Sequence, residues 1–432
     1  MNITIHRGTK EIGGSCVEVT TSRSRVLIDF GMPLINEENK PFDSKLLQRK
    51  SVAELQQSGI LPRIQGLYKG EERAVDAIFI SHSHMDHYGF LKYIHPEIPV
   101  YASEGAHKLI EVTSIFTPTK VNITNKFFPL NTNSKDSIGN ITVSNYLVDH
   151  SAFDARAFLI EADGKRLFYS GDFRGHGRKK VLFEKMIKTP PKNIDCLLME
   201  GSMLGRVKQE YKDESAVEKG IIDILKGKAN ITFLSVSSQN IDRIVSAYRA
   251  CLKTKTTFVI DLYTAFVLYS LSEVSDGIPQ YDWNNIRIKY FKSHADALAR
   301  SGNKELLYKF NKKKIEMEEI NSNKTNILMV LRDNSLFPIL MKHIKDVSGS
   351  TLIYSMWDGY LTDKFKADCK SRGIMIKEIH TSGHAVLSDL KRFAEALNPK
   401  TLIPIHTFEP QKYKQFFKNV VLLKDHEEYS LN

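Results

Sequence analysis

No run of 18 uninterrupted apolar residues occurs in the chain, so a membrane-spanning helix is not expected. The first residues, MNITIHRGTKEIGG, lack the basic stretch and apolar core of a secretory signal. Cysteine is scarce: Cys16, Cys196, Cys251 and Cys369 are widely scattered, with no C-x-x-C pair. Such usage suits a reducing compartment, where a cysteine is by default a small buried hydrophobe, and the expected location is the cytoplasm. With 24 glycines, 14 prolines and no internal repeat, the composition excludes collagen-like and low-complexity classes. At 42% hydrophobic and 26% charged, it also excludes a coiled coil and a wholly disordered chain. Acidic residues are in deficit, 50 against 61 basic ones, which gives a net charge of +11. That excess favours polyanionic partners through phosphate contacts and counterion release, but it needs site chemistry beside it. A chain of 432 residues divides into two or three domains and is long enough to bury a core without staples.

Along the chain, ITIHRG and SCVEVTT alternate apolar and polar residues, and RVLIDFG is an apolar run ending in Asp29, Phe30 and Gly31. Residues 36–75 are polar and irregular, with a helix expected in SKLLQRKSVAELQQSG. VDAIFI reads as a buried strand. Further strands follow in IPVYAS, GNITVSNYLVDH, RAFLIEAD, KRLFYSGD and DCLLMEGS, separated by turn pairs such as Gly139-Asn140 and Asp163-Gly164. From about residue 206 the texture becomes helix–strand alternation, the βαβ pattern of a parallel α/β sheet. Near 351 strand-like segments return in TLIYSM, GIMIKEIHTSGHA and KTLIPIHTF. The layout predicts a first domain over 1–205, an α/β insertion over 206–350, and a return of the first domain over 351–432.

The informative segment is His82-Ser83-His84-Met85-Asp86-His87, directly after a strand. Imidazole nitrogen and carboxylate oxygen are suited to Zn²⁺ and related ions. On an extended segment His82 and His84 point to one side, while Asp86 and His87 sit where the chain turns and can face a second ion. The alternative, a histidine-rich surface loop, requires three of only 14 histidines to fall within six residues by accident. His150, Asp172 and His406 each end an apolar strand and are the candidates to complete two ion sites. Asp172 is the candidate bridge, since a carboxylate can span two cations about 3.5–4 Å apart.

This pattern resembles the metallo-β-lactamase fold, an αβ/βα sandwich; Asp29 in LIDFG is similar to that family's structural aspartate. Later residues resemble the motifs of its β-CASP nuclease branch: Glu200 in LLMEGSMLGR, His384 in HTSGHA and His406 in IPIHTFEP. The run His380–His384 is similar to the equivalent stretch of the RNase J family, although EGSMLGR departs from the E-S-T-Y-G form of the RNA 3′-end-processing members. The histidine at position 406 accompanies RNA-processing members of the branch, whereas DNA-repair members tend to carry valine.

The resemblance implies that His82, His84 and His150 hold one ion and Asp86, His87 and His406 the other, with Asp172 between them. Two Zn²⁺, or Mn²⁺ in their place, would share a hydroxide that attacks phosphorus in line. Asp86 would orient that hydroxide, and Glu200 or Asp29 would accept the outer N–H of a liganding imidazole. His384 would contact the scissile phosphate or protonate the leaving oxygen, with Ser382 and Gly383 offering a hydroxyl and amides to phosphate oxygens. The expected protein is a cytoplasmic ribonuclease that cleaves single-stranded RNA, clamped by the inserted domain, with a homodimer admitted. Two alternatives stay open: a DNA-directed nuclease of the same mechanism, and a metallo-hydrolase of a small ester or thioester. Outside these motifs, His176 is expected in a basic loop and the 308–324 lysine cluster on a solvated face. Asp261 and Tyr263 are expected in strand-end packing, and Ser237-Ser238 is at most a weak phosphate candidate.

Overall fold

The computed structural model describes residues 1–36, 40–117, 120–206 and 210–431. The chain forms two compact units, Met1–Val207 with Gly383–Asn432, and Lys208–Ser382. Among the described residues no helix is long and apolar enough to cross a membrane.

The first unit is built from two sheets. One has seven strands in the order Glu428–Ser430, Asn2–Arg7, Cys16–Thr20, Arg25–Ile28, Ala77–Phe79, Val100–Ala102, Phe127–Pro129. The other has six, in the order Thr401–Ile405, Cys196–Glu200, Lys165–Tyr169, Arg156–Ala162, Ile141–Leu147, Lys135–Ile138. Alternation decides how they meet. Val17, Val19, Val26, Ile28 and Phe79 from the first sheet share one buried core with Phe158, Ile160, Leu167, Tyr169, Leu198 and Ile403 from the second. The intervening residues face outward under further layers: Leu27, Ile78 and Ile80 pack with Ile110 of the helix Glu104–Phe116. On the far side Leu159, Phe168, Leu197 and Leu402 pack with Phe183 of the helix Lys180–Lys188 and Phe393 of the helix Leu387–Leu397. This layering is the expected αβ/βα sandwich, and each fully buried aliphatic or aromatic side chain adds roughly 1.5–3 kcal/mol to it.

The segment after residue 40 has a structural task that composition hides. Its helix is short, Val52–Gln57, started by a reciprocal Ser51–Glu54 capping box and preceded by a separate 3-10 turn, Ser44–Leu47. Leu47, Leu55, Leu61, Ile64, Leu67 and Tyr68 then cover the outer face of the first sheet.

The second unit holds one wholly parallel six-stranded sheet, in the order Ile286–Lys289, Thr257–Asp261, Ile327–Val330, Thr232–Ser235, Thr351–Tyr354, Met375–Glu378. The return to the first unit therefore falls at Gly383, not at residue 351. Thr351–Tyr354 lies beside Thr232–Ser235 in parallel register, with Ile353 opposite Leu234. An apolar strand does not announce which sheet it joins, and this one completes the inserted sheet. Asp261 caps the helix Leu262–Ser270 and meets Arg332 at 2.5 Å, and Arg332 also reaches Ser238. These residues are packing partners at a strand end.

Candidate metal centre

The strand Ala77–Phe79 delivers Ser81 and His82, and the backbone then turns into the single helical turn Met85–Tyr88, with His84 at its N-cap. His82, Asp86, His87, His150, Asp172 and His406 are buried, and His84 is partly so. Their ligand atoms gather in overlapping groups within 4.8 Å: His82 with His84 and His150, His82 with His87 and Asp172, Asp86 with His87 and His406, and His150 with Asp172 and His384. Asp172 Oδ2 is the hub. It lies 3.2 Å from His87 Nε2, 3.5 Å from His406 Nε2, 3.6 Å from His82 Nε2 and 3.7 Å from His384 Nδ1. Asp86 Oδ2 stands 3.7 Å from both His87 Nε2 and His406 Nε2.

The outer edges of the rings are held by the protein. Asp29 Oδ2 accepts from His87 Nδ1 at 2.8 Å, from Ser81 Oγ at 2.7 Å and from the Tyr169 hydroxyl at 2.7 Å, while Asp29 Oδ1 accepts the Ser81 amide at 2.7 Å. His150 Nδ1 donates to the Gly383 carbonyl at 2.5 Å, and His406 Nδ1 meets Ser15 Oγ at 3.0 Å. Such bonds fix ring orientation and leave Nε2 facing inward. Asp29 and His406 both sit at positive φ, 60° and 51°, at the ends of strands. Non-glycine residues adopt that conformation at a cost, and here it turns each side chain into the cluster.

Three inward atoms, His87 Nε2, His406 Nε2 and Asp172 Oδ2, are buried with no hydrogen-bond partner outside the cluster itself. Buried polar atoms without outside partners are rare, and three gathered in one place fit a cation. The electrostatics agree. Burial pushes His82 and His150 well below the ordinary imidazole range, helped by the neighbouring rings. Burial, opposed by Asp172, brings His84 to about 3 and His406 to about 4. These rings are neutral, the state in which an imidazole can ligate a metal. At His87 burial pulls the pKa down, but Asp172, Asp29 and Asp86 outweigh it and hold the ring protonated. The carboxylates thus demand positive charge where the ligand atoms meet. The residues present fit a metal.

Glu200 is fully buried at the end of the strand Cys196–Glu200. Its Oε1 accepts the Ala385 amide at 3.1 Å and lies 3.4 Å from His384 Nδ1, and its Oε2 accepts the Ser202 amide at 2.9 Å. It therefore holds the turn that carries His384 and faces that ring, while Asp29 is the acceptor beside His87. Burial lowers the His384 pKa, but Glu200 and Asp172 outweigh it and raise it overall. Gly383 engages His150 through its carbonyl, and a Cβ there would come within 2.3 Å of Ser151 Oγ. Ser382 is buried and closes the second unit. The N-cap of the helix Leu387–Leu397 is Val386, without a side-chain cap, so the Ser382-Gly383 pair does not lead directly into it. His176 lies in the expected basic loop, and its side chain is buried there with Nδ1 3.6 Å from Asp389.

Sequence reasoning missed Ser15, Ser81, Tyr169 and Gly31. The only available signal for them was proximity to strand ends near the motifs. Ser15 is the cleanest to test: Ser15→Ala should weaken metal binding by about 10–100-fold, read by competition with a chromogenic chelator, with folding intact.

Residues 52–222 match the beta-lactamase superfamily domain, and residues 374–415 match the Zn-dependent metallo-hydrolase RNA specificity domain. Ribonuclease J of Mycoplasma genitalium is 23% identical over 92% of this chain and 66% of its own length. The chain is similar to RNase J and carries a beta-lactamase superfamily domain and a metallo-hydrolase RNA specificity domain. Other relatives of this kind are Ribonuclease J of Helicobacter pylori, 20% identical over 94% of this chain and 56% of its own, and an RNase J-like protein of Methanocaldococcus jannaschii, 25% identical over 46% and 41%. The chain spans at most about two thirds of the length of these RNase J-like relatives. A crystal structure of an Enterococcus faecalis protein of unknown function shares the fold, with a TM-score of 0.79 at 21% identity, over 99% of both chains.

Proposed function

We propose that this RNase J-like chain is a metal-dependent ribonuclease that hydrolyses phosphodiester bonds of single-stranded RNA. The observation that carries the reading is the clustering of seven candidate ligand side chains, Asp172 among them, in overlapping groups. The match to an RNA specificity domain and the similarity to proteins named Ribonuclease J favour RNA over DNA and over a small ester. His82, His84 and His150 would hold one cation and Asp86, His87 and His406 a second, with Asp172 shared; Zn²⁺ is the expected ion and Mn²⁺ the alternative. Bound there, the cations would supply Lewis acidity toward phosphoryl oxygen and lower the pKa of water.

The chain's own groups do the rest. Asp29, Gly383 and Ser15 fix the rings of His87, His150 and His406, so the site is formed before substrate arrives. Asp86 orients the attacking water through its carboxylate. Glu200 keeps His384 Nδ1 turned toward the carboxylates, and Nε2–H of His384 protonates the leaving 3′ oxygen, which yields a 5′-phosphate and a 3′-hydroxyl. Ser382 and Gly383, beside His384 in the chain, are proposed to contact phosphate. His384→Ala should then lower kcat by about 10²- to 10⁴-fold while the metal content of the purified protein stays unchanged.

The reading is tested by cleavage of end-labelled single-stranded RNA and matched DNA, with a chelator and a His84→Ala, Asp86→Ala double variant as controls. Metal-dependent RNA cleavage that the variant loses is expected. Intact RNA beside metal-loaded protein would overturn the reading in favour of a small-molecule hydrolase, and preferential DNA cleavage in favour of the DNA alternative.

A further inference from the structure

The lysine-rich stretch of the second unit sorts into committed and uncommitted charges. Lys314 pairs with Glu316 at 2.6 Å, and Glu319 is taken by Arg287 at 2.7 Å. Lys309 donates to the Tyr269 hydroxyl at 2.9 Å and lies 4.3 Å from that ring's centroid, and Lys313 reaches the Trp283 carbonyl at 3.4 Å. Among the described residues Lys304 and Lys312 have no such partner, and both are exposed. They flank Tyr308, which at 69% is the most exposed large aromatic side chain described.

The three residues repeat every fourth position along the helix Lys304–Asn311 and its C-cap, Lys312. That spacing stacks them on one face, about 6 Å apart along the axis, while Leu306 and Phe310 are buried. Glu305 is the one carboxylate of the helix, a residue's turn around from Lys304. An alternation of cation, aromatic ring and cation matches the phosphate–base–phosphate repeat of an unpaired strand, where ring stacking is indifferent to sequence. A folded protein partner fits poorly, because interface cores are depleted of lysine.

We propose that the Lys304–Tyr308–Lys312 face binds single-stranded RNA, with the two ammonium groups on phosphates and the phenol ring stacked on a base between them. This rests on the ribonuclease reading and adds a place on the second unit where substrate is held.

The test uses fluorescence anisotropy of a labelled single-stranded RNA 12-mer on the full chain carrying His84→Ala and Asp86→Ala, so that the strand stays intact. Tyr308→Ala should weaken binding by about 5- to 150-fold, whereas Tyr308→Phe should bind as the parent does. Lys304→Ala with Lys312→Ala should flatten the slope of log affinity against log salt by about 1.4. The control pair Lys226→Ala, Lys370→Ala removes equal charge from exposed positions elsewhere in the same unit. Unchanged binding by Tyr308→Ala, or an equal loss in the control pair, overturns the surface while leaving the ribonuclease reading untouched. Failure of the parent protein to bind RNA overturns both.

Discussion

Asp172→Ala is expected to strip the protein of its metal and to abolish RNA cleavage, with a loss of at least about 10³-fold. The magnitude follows from position. Oδ2 of Asp172 lies within 3.7 Å of ring nitrogens of His82, His87, His384 and His406. Among the described residues it is the carboxylate that faces both imidazole sets, so its removal would weaken both of the proposed cation sites at once. Cation stabilisation of a phosphoryl transition state is worth several kcal/mol, and each 1.36 kcal/mol is a factor of about ten in rate. Asp172→Asn separates charge from shape: the amide fills the same volume but offers no anionic oxygen to the surrounding imidazole nitrogens. Both variants should show metal-to-protein ratios well below the wild type by plasma emission spectroscopy, with an unchanged far-ultraviolet circular dichroism spectrum. A fully metal-loaded Asp172→Ala protein would remove Asp172 from the centre.

The ligand types were legible in the sequence because they are written locally. Three histidines and an aspartate after a buried strand carry their chemistry in six consecutive residues. His150, Asp172 and His406 were legible for a weaker reason: each ends an apolar strand, and strand ends of a packed sandwich converge. The groups that hold the rings were not legible. Ser15, Ser81 and Tyr169 are ordinary strand or loop residues whose role appears only when Asp29 and His406 turn inward through positive φ. Conformation at a single residue leaves no periodic signature. The boundary at 351 failed for a related reason, since period-two alternation identifies a strand and not its neighbours. The basic loop around His176 was legible from its arginine and lysines, but its burial was not, because Asp389 beside it lies more than two hundred residues later.

Gly31→Ala tests the same point, that the metal loop is positioned by backbone contact no motif records. Phe30 N bonds to the His87 carbonyl at 2.8 Å, Met32 N to the Met85 carbonyl at 3.0 Å and Ser15 N to the Asp86 carbonyl at 3.0 Å, so residues 30–32 lie flat against the turn that bears Asp86 and His87. A Cβ on Gly31 would sit 1.6 Å from the Asp86 carbonyl oxygen, 2.2 Å from its carbon and 2.8 Å from His87 N. No flexible side chain can yield there; the main chain itself must retreat by more than an ångström, carrying two ligands with it. Overpacking against rigid surroundings costs about 1–3 kcal/mol and occasionally more. For a unit of this size about 3 kcal/mol corresponds to a fall in Tm of roughly 6–12 °C. A ligand displacement of about 1 Å also predicts a loss of cleavage of at least about 10²-fold. Gly277→Ala is the matched control, because its nearest neighbour to a new Cβ is Ser275 Oγ at 3.9 Å, and its stability should stay within about 0.5 kcal/mol of wild type. If Gly31→Ala bound metal and melted as the wild type does, the turn would be adjustable, and the rigidity assigned to the ligand cluster would have to come from the side-chain bonds to Asp29, Ser15 and Gly383 alone.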